Sequence, residues 1–161
     1  NQIGVNGVQS IATSLNFQNL ETLFLDSNPI GPQGAEALAR STCLSSLSAL
    51  HLDSTGIGDQ GVKAIATSLM SAKLKKLYLC SNKIGDEGAI ALSQSPNLSH
   101  LTCLSIWRNE IRDAGGKAIA ESNHFLKLER LYMSLNLIEK PTRKLIRASD
   151  MASRLKTLVM D

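Results

Sequence analysis

Leucines and their apolar substitutes recur along this chain at one fixed interval. Leu20, Leu47, Leu74, Leu101, Leu128 and Leu155 lie 27 residues apart, with no insertion or deletion between them. In each unit apolar residues return three and five positions later: Leu23 and Leu25, Leu50 and Leu52, Leu77 and Leu79, Leu104 and Ile106, Leu131 and Met133, Leu158 and Met160. Alternation with period two predicts a short strand whose leucines point inward. Three positions past the last apolar residue stand Asn28, Thr55, Asn82, Asn109 and Asn136. An amide there can bond the backbone of the turn that leaves the strand, so this column reads as turn structure rather than chemistry.

The second half of each unit has helical spacing. The run Ile30 to Ala39 recurs as Ile57 to Ala66 and again as Ile84 to Leu92, each opening Ile-Gly and carrying a second Gly three residues after the first. Asp59, Asp86 and Asp113 share a column with Pro32. Both residue types suit a helix start, one as an acceptor for free amides and the other because it has no amide proton. The small Ala and Gly residues are expected to let the helix lie close against the sheet. Strands joined by helices must run parallel, with right-handed crossovers. Strands sit closer together than helices, so stacked units bend into an arc with the sheet inside and the helices outside.

The expected organisation is one α/β solenoid: a half repeat over 1–19, repeats starting at 20, 47, 74, 101 and 128, and a final strand in 155–161. Unit five departs from the pattern, with Glu139-Lys140-Pro141-Thr142-Arg143-Lys144 where Gly and Ala are due. Only Leu145 and Ile146 keep an apolar face there, and a polar outer helix is what a terminal repeat needs. Residues 1–19 hold a helical half unit without its strand, so further repeats or a cap are expected to precede Asn1.

The unit L-x-x-L-x-L-x-x-N-x-I-G-x-x-G-A-x-A-L-A resembles the ribonuclease-inhibitor-like class of leucine-rich repeats. That class is shared by ribonuclease inhibitor, Ran GTPase-activating proteins, sensor regions of nucleotide-binding immune receptors, and effectors of intracellular bacteria. The resemblance covers essentially the whole chain. It implies a curved horseshoe segment with a parallel β-sheet on its concave face and helices on its convex face. It also implies a protein-binding scaffold, without naming a partner.

Composition adds the setting. The 161 residues are 43% hydrophobic and 19% charged with a formal charge of +3, the balance of a globular domain. No apolar run approaches the length of a membrane span, and no signal-peptide pattern opens the chain. Three cysteines cannot all pair, which fits a reducing, intracellular compartment. Only six residues are aromatic, and four of them, Phe24, Tyr78, Trp107 and Tyr132, fall among the strand positions facing away from the leucines. Phe17 and Phe125 share a column with Leu44 and Leu98 and read as core.

Charge on the inner face divides. Glu21, Asp26 and Asp53 make the first two units acidic, whereas Lys75, Lys76, Arg108, Arg130 and Lys156 make the later ones basic. Complementary charge would steer a partner into register. Lys140, Arg143, Lys144, Arg147 and Arg154 add a basic end beyond the strands. Chemistry finds little support. His51, Asp53 and Cys80 could approach one another, yet an open sheet offers no pocket or oxyanion donors. Asp26, Asp53 and one imidazole make a poor metal site. Cys80 and Cys103 are about 13 Å apart along neighbouring strands, too far for a disulfide.

The expectation is a non-catalytic scaffold, with no cofactor or metal, that binds another protein on its concave face. The contact residues are Phe24, Asp26, His51, Asp53, Lys76, Tyr78, Trp107, Arg108, Arg130 and Tyr132. A small-molecule substrate, a membrane and nucleic acid are not expected partners. Such a module suits the recognition arm of a bacterial effector or immune-type receptor. The alternative is a regulator of an enzyme, either GTPase-activating or inhibitory; an inhibitor of basic ribonucleases should be acidic, against a pI of about 8.9 here.

Overall fold

The computed structural model describes residues 1–161. Helices alternate with three-residue strands: α1 Val5–Thr13, β1 Thr22–Phe24, α2 Gly31–Ala39, β2 Ala49–His51, α3 Gly58–Thr67, β3 Lys76–Tyr78 and α4 Asp86–Ser93. The series continues with β4 Cys103–Ser105, α5 Asp113–Ala120, β5 Arg130–Tyr132, α6 Lys140–Arg147, α7 Asp150–Arg154 and β6 Thr157–Val159. All six strands form one parallel sheet in sequence order. Each step of the register is 27 residues, so Leu23, Leu50, Leu77, Leu104, Leu131 and Leu158 form a single row. Every column of the repeat is therefore a row across the sheet.

The leucines of the inner strands meet the apolar side of the helices. Leu50, Leu77, Leu104 and Leu131 are fully buried against Ala35, Leu38, Val62, Ile65, Ala89, Leu92 and Ile119. The buried side chains make one cluster of 34 residues from Val8 to Met160, so the stacked units share a single core. Hydrogen-bonded strands lie ~4.8 Å apart and packed helices ~8–10 Å apart, which puts the sheet on the inside of the arc.

Three polar ladders tie each repeat to the next. In the first, the Asn82 side chain accepts from the backbone N–H groups of Thr55 and Ile57 and donates to the carbonyls of Leu52 and Cys80. Asn109 does the same for Asn82, Ile84, Leu79 and Ile106. The column is turn structure, as its position predicts, but six of these eight bonds reach the preceding repeat.

The second ladder was not singled out in the sequence. Ser41, Ser68, Ser95 and Ser122 also lie 27 apart. Each hydroxyl donates to a carbonyl at the C-terminus of the helix one repeat earlier: Ala12, Ala39, Ala66 and Ser93. Those carbonyls have no partner within their own helix, and the serines supply one. The ladder ends at Ser149, which turns to Ile146 of its own repeat.

The third ladder corrects the helix-start expectation. Asp59 does not cap its own helix; its Oδ1 accepts from the N–H groups of Gly85 and Gly88, at the start of α4. Asp86 likewise accepts from Arg112 and Gly115 at the start of α5. The second glycine of each unit is needed at these helix contacts rather than against the sheet. A Cβ on Gly61 would stand 2.6 Å from Ile57 Cβ and 3.0 Å from Ala35 Cβ of the neighbouring helix. In unit five the outer helix is polar, but Leu145 is exposed, and Thr142 joins Ile146 in facing inward. A helix turns 100° per residue, so two adjacent residues cannot both occupy a narrow buried stripe.

Candidate partner-binding face

The face opposite the leucines is built from rows of side chains, one from each strand. One row reads Phe24, His51, Tyr78, Ser105, Tyr132 and Val159. Parallel register places equivalent side chains ~4.8 Å apart, close to a ring-stacking distance. His51 lies between two rings, with centroids 4.0 Å from Phe24 and 4.2 Å from Tyr78; the His51 and Tyr78 rings are stacked and nearly parallel, at 14°. Phe24 ends the stack and is 64% exposed.

The next row carries Asp26, Asp53, Cys80, Trp107, Ser134 and Asp161. Asp26 Oδ1 accepts from Asp53 N–H, and Asp53 Oδ1 from Cys80 N–H, both at 2.7 Å. These carboxylates thus carry the pairing one step past the strands. The second oxygen of Asp26 faces His51 Nδ1 at 4.0 Å, beyond hydrogen-bonding distance. Burial pushes the Asp53 carboxyl above its ordinary value, outweighing the bond from Cys80 N–H, and the Asp26 charge adds to the rise.

A raised carboxyl value means the fold favours the protonated form. The penalty on charged Asp53 is present at neutral pH and disappears once both folded and unfolded forms are protonated, below about pH 4. Asn at this position keeps the acceptor for Cys80 N–H without the charge. Asp53→Asn is therefore expected to unfold at higher denaturant concentration than the natural chain at pH 7, with the gain shrinking as pH falls towards 4. An equal or lower midpoint at pH 7 would contradict this account.

A third row reads Thr22, Ala49, Lys76, Cys103, Arg130 and Thr157. Ala49, Cys103 and Ser105 occupy strand positions that face away from the leucines, yet all three are buried. Each is short, and in the rows of Cys103 and Ser105 it stands between longer side chains on strands only ~4.8 Å away. Lys76 and Arg130 flank Cys103, while Tyr78 and Tyr132 flank Ser105. Cys80 Sγ contacts Ser105 Oγ at 3.0 Å, and Cys103 Sγ lies 3.9 Å from Tyr78 Oη. Burial pushes the Cys80 thiol up, so it stays protonated at neutral pH, and its sulfur faces Ser105 rather than His51. A nucleophile needs the opposite on both counts. No three His, Cys, Asp or Glu side chains converge as a metal would require.

Arg108 departs from the rows. Ser27, Ser54, Ser81, Arg108 and Leu135 occupy one column and all adopt left-handed backbone, with φ between 54° and 58°. This turn lifts their side chains onto the rim, where Arg108, Ser54, Ser81, Lys83, Asn109 and Glu110 line an open groove of about 470 Å³. Leu135 is the apolar exception in a column of polar residues. It is 52% exposed, and Trp107 and Val159 are exposed on the same inner side. That exception was visible in the sequence but carried no assigned role.

The structure thus brings Phe24, His51 and Tyr78 together, with Asp26 and Asp53 beside them. It sets Lys76, Arg130 and Tyr132 around a separate floor of Cys103 and Ser105. Trp107 stands apart from the stack, in the row of the aspartates.

Comparison with known proteins agrees with this architecture. A family model described as "Leucine Rich repeat" matches residues 18–39, 43–66, 71–93 and 97–120, more than half of the chain. No curated protein matches significantly. Among solved structures, an internalin from Listeria monocytogenes is similar with a TM-score of 0.61 at 20% sequence identity. The similarity covers 96% of this chain and 46% of that one, so the chain spans less than half the length of the internalin. The internalin supports the fold alone. Four repeat matches in phase with the 27-residue register, on a parallel sheet backed by helices, show that the chain belongs to the leucine-rich repeat family.

Proposed function

We propose that the concave sheet binds a partner protein and that the domain acts through this contact rather than by catalysis. The observation that carries the reading is the Phe24–His51–Tyr78 stack, open to solvent at Phe24, on a face that also exposes Trp107, Leu135 and Val159. Stacked and exposed rings combine apolar area with low mobility, the features of binding hot spots. Solenoids of this family offer extended concave surfaces for such contacts. The acidic pair Asp26 and Asp53 and the basic residues Lys76, Arg108 and Arg130 would orient the partner.

The reading extends to the ribonuclease-inhibitor-like class, supported by the 27-residue period and by outer helices α2 to α5 of eight to ten residues. An intracellular setting is supported by three unpaired cysteines, two of them buried. The recognition arm of a bacterial effector or immune-type receptor is the context that matches both. No helix is long and apolar enough to cross a membrane.

The test is affinity capture followed by mass spectrometry with the natural chain, the double variant Tyr78→Ala/Trp107→Ala, and Lys117→Ala on the outer helix α5 as control. The double variant is expected to recover a specific partner at least tenfold less well, with Tm lowered by no more than about 4 °C. The control should capture normally. Undiminished capture by the double variant would remove the concave face from the function.

A further inference from the structure

Among the buried side-chain nitrogens and oxygens of the chain, only Nε of Arg130 lacks a hydrogen-bond partner. A buried polar group left unpaired is uncommon and calls for a cause. No acidic side chain pairs with Arg130. The ion pairs of the chain are Arg40 with Glu36, Lys63 with Glu87 and Lys156 with Glu129, and the imidazole of His51 is the only other basic group near a carboxylate, 4.0 Å from Asp26. Glu129, the residue before Arg130, is held by Lys156 at 3.0 Å. Lys76 has no acidic partner either.

Register shows what surrounds this guanidinium. Lys76 and Arg130 stand on either side of the buried Cys103, about 10 Å apart across two strand spacings. Tyr78 and Tyr132 flank the buried Ser105 in the same way. Burial holds the Tyr78 phenol above its ordinary value, with the Arg130 charge acting in the opposite sense from two strands away. Tyr78 is therefore a proton donor at neutral pH, and Arg130 stands two strands from it, on the far side of Cys103 in the adjoining row. The rows that contain these four residues hold no carboxylate at any of their twelve positions. Two cations and two phenolic donors thus frame a shallow floor with nothing negative to receive them.

We infer that this notch receives a carboxylate side chain of the partner protein, an Asp or Glu held by Arg130 and Lys76 and bonded by the hydroxyls of Tyr78 and Tyr132. A guanidinium presents paired N–H groups that match the two oxygens of a carboxylate, and such charge-assisted bonds are the stronger kind. A protein source fits because Trp107, Leu135 and Val159 expose apolar surface nearby, which a protein acid flanked by apolar residues would cover and a free anion would not. The inference rests on the concave face being the binding surface and goes further by naming what enters it.

The chain contains one tryptophan, Trp107, exposed on this face one row away from Tyr78 and Tyr132, and it reports occupancy without a label. The probe is an acetylated tetraglutamate amide, titrated into the natural chain at low salt while Trp107 fluorescence is followed; the corresponding tetralysine peptide is the control. A saturable change with tetraglutamate alone is expected. Arg130→Gln should weaken it at least tenfold, and Lys76→Gln, at an exposed position, should weaken it severalfold without a folding cost. Lys140→Gln/Lys144→Gln on α6 should leave it unchanged, since those charges lie on the outer side. Absence of a saturable response, or equal affinity in Arg130→Gln and Lys76→Gln, would overturn the inference. So would inorganic phosphate saturating the same response at lower concentration, which would make the notch a phosphate site. Partner capture separates the two levels: full capture by Arg130→Gln together with loss in Tyr78→Ala/Trp107→Ala leaves the concave face standing and removes the acidic contact. Full capture by Tyr78→Ala/Trp107→Ala removes the face itself.

Discussion

Asn82→Ala is expected to destabilise the fold by about 4 kcal/mol, a larger effect than any single substitution on the concave face. Asn82 is 1% exposed, and its amide serves four backbone groups in two successive turns. Alanine leaves Thr55 N–H and Ile57 N–H without acceptors in a dry environment, at roughly 1–3 kcal/mol each. The lost amide volume adds a cavity cost. The two carbonyls suffer less, because Leu52 O also accepts from the Thr55 hydroxyl and Cys80 O from Ser54 N–H. The last member of the column supplies an internal comparison. Asn136 is only half-buried and its Oδ1 accepts from Ile111 N–H alone, so Asn136→Ala should cost roughly 1–2 kcal/mol. Urea titration of the two variants measures the difference. A loss below 1 kcal/mol for Asn82→Ala would show that the ladder is dispensable.

Gly88→Ala is expected to cost about 2–3 kcal/mol, although alanine is ordinarily the better helix former by ~1 kcal/mol. A Cβ at Gly88 would lie 2.5 Å from Asp59 Oδ1 and 2.7 Å from Ile84 Cγ2. Both neighbours must move, and the Asp59 carboxylate would have to leave the N–H groups of Gly85 and Gly88 that it caps. Losing a helix cap costs about 1 kcal/mol by itself, and forcing extra volume into a packed contact about 1–3 kcal/mol. The mechanism makes a sharper demand on the double variant. Asp59→Ala removes both the cap and the obstacle, so in its presence Gly88→Ala should cost at least ~1 kcal/mol less than in the natural chain. A double-mutant cycle by thermal or urea unfolding reads this coupling. Strict additivity would mean that Asp59 and Gly88 act separately and that the cross-repeat cap has no energetic weight.

Both predictions concern polar atoms that join one repeat to the next, and these were the least legible features of the chain. The Asn column announced itself as a turn element through its phase, yet nothing in spacing alone says that Asn82 reaches Leu52 as well as Cys80. Asp59 sat at a helix start, where a local cap is the simplest reading, and the acceptor serves the next helix instead. The serine column at 41, 68, 95 and 122 was equally periodic, but serine in a loop has many ordinary roles and attracts no notice. On the inner face, charge and aromatic content could be read off by counting, whereas burial could not. Cys103 and Ser105 are covered because their neighbours on both sides are long, and Ala49 is also buried. Side-chain length across the sheet decides this more than position along it.

The architecture is written into the repeat. An unbroken 27-residue period with L-x-x-L-x-L in each unit leaves only one register in which all the leucines share a face, because a slip of one residue would turn them outward. Parallel strands, outer helices and the membership of each inner row follow from that period. Stacking of the units settles who meets whom across the repeats: the Asp59 carboxylate with the Gly85 and Gly88 amides, the serines with the preceding helix ends, and His51 between Phe24 and Tyr78, while Arg130 is left with an unpaired nitrogen. Periodicity states where a residue stands within its unit. Its partner 25 to 30 residues away depends on strand spacing, helix approach and side-chain length, which act together only once the units are stacked.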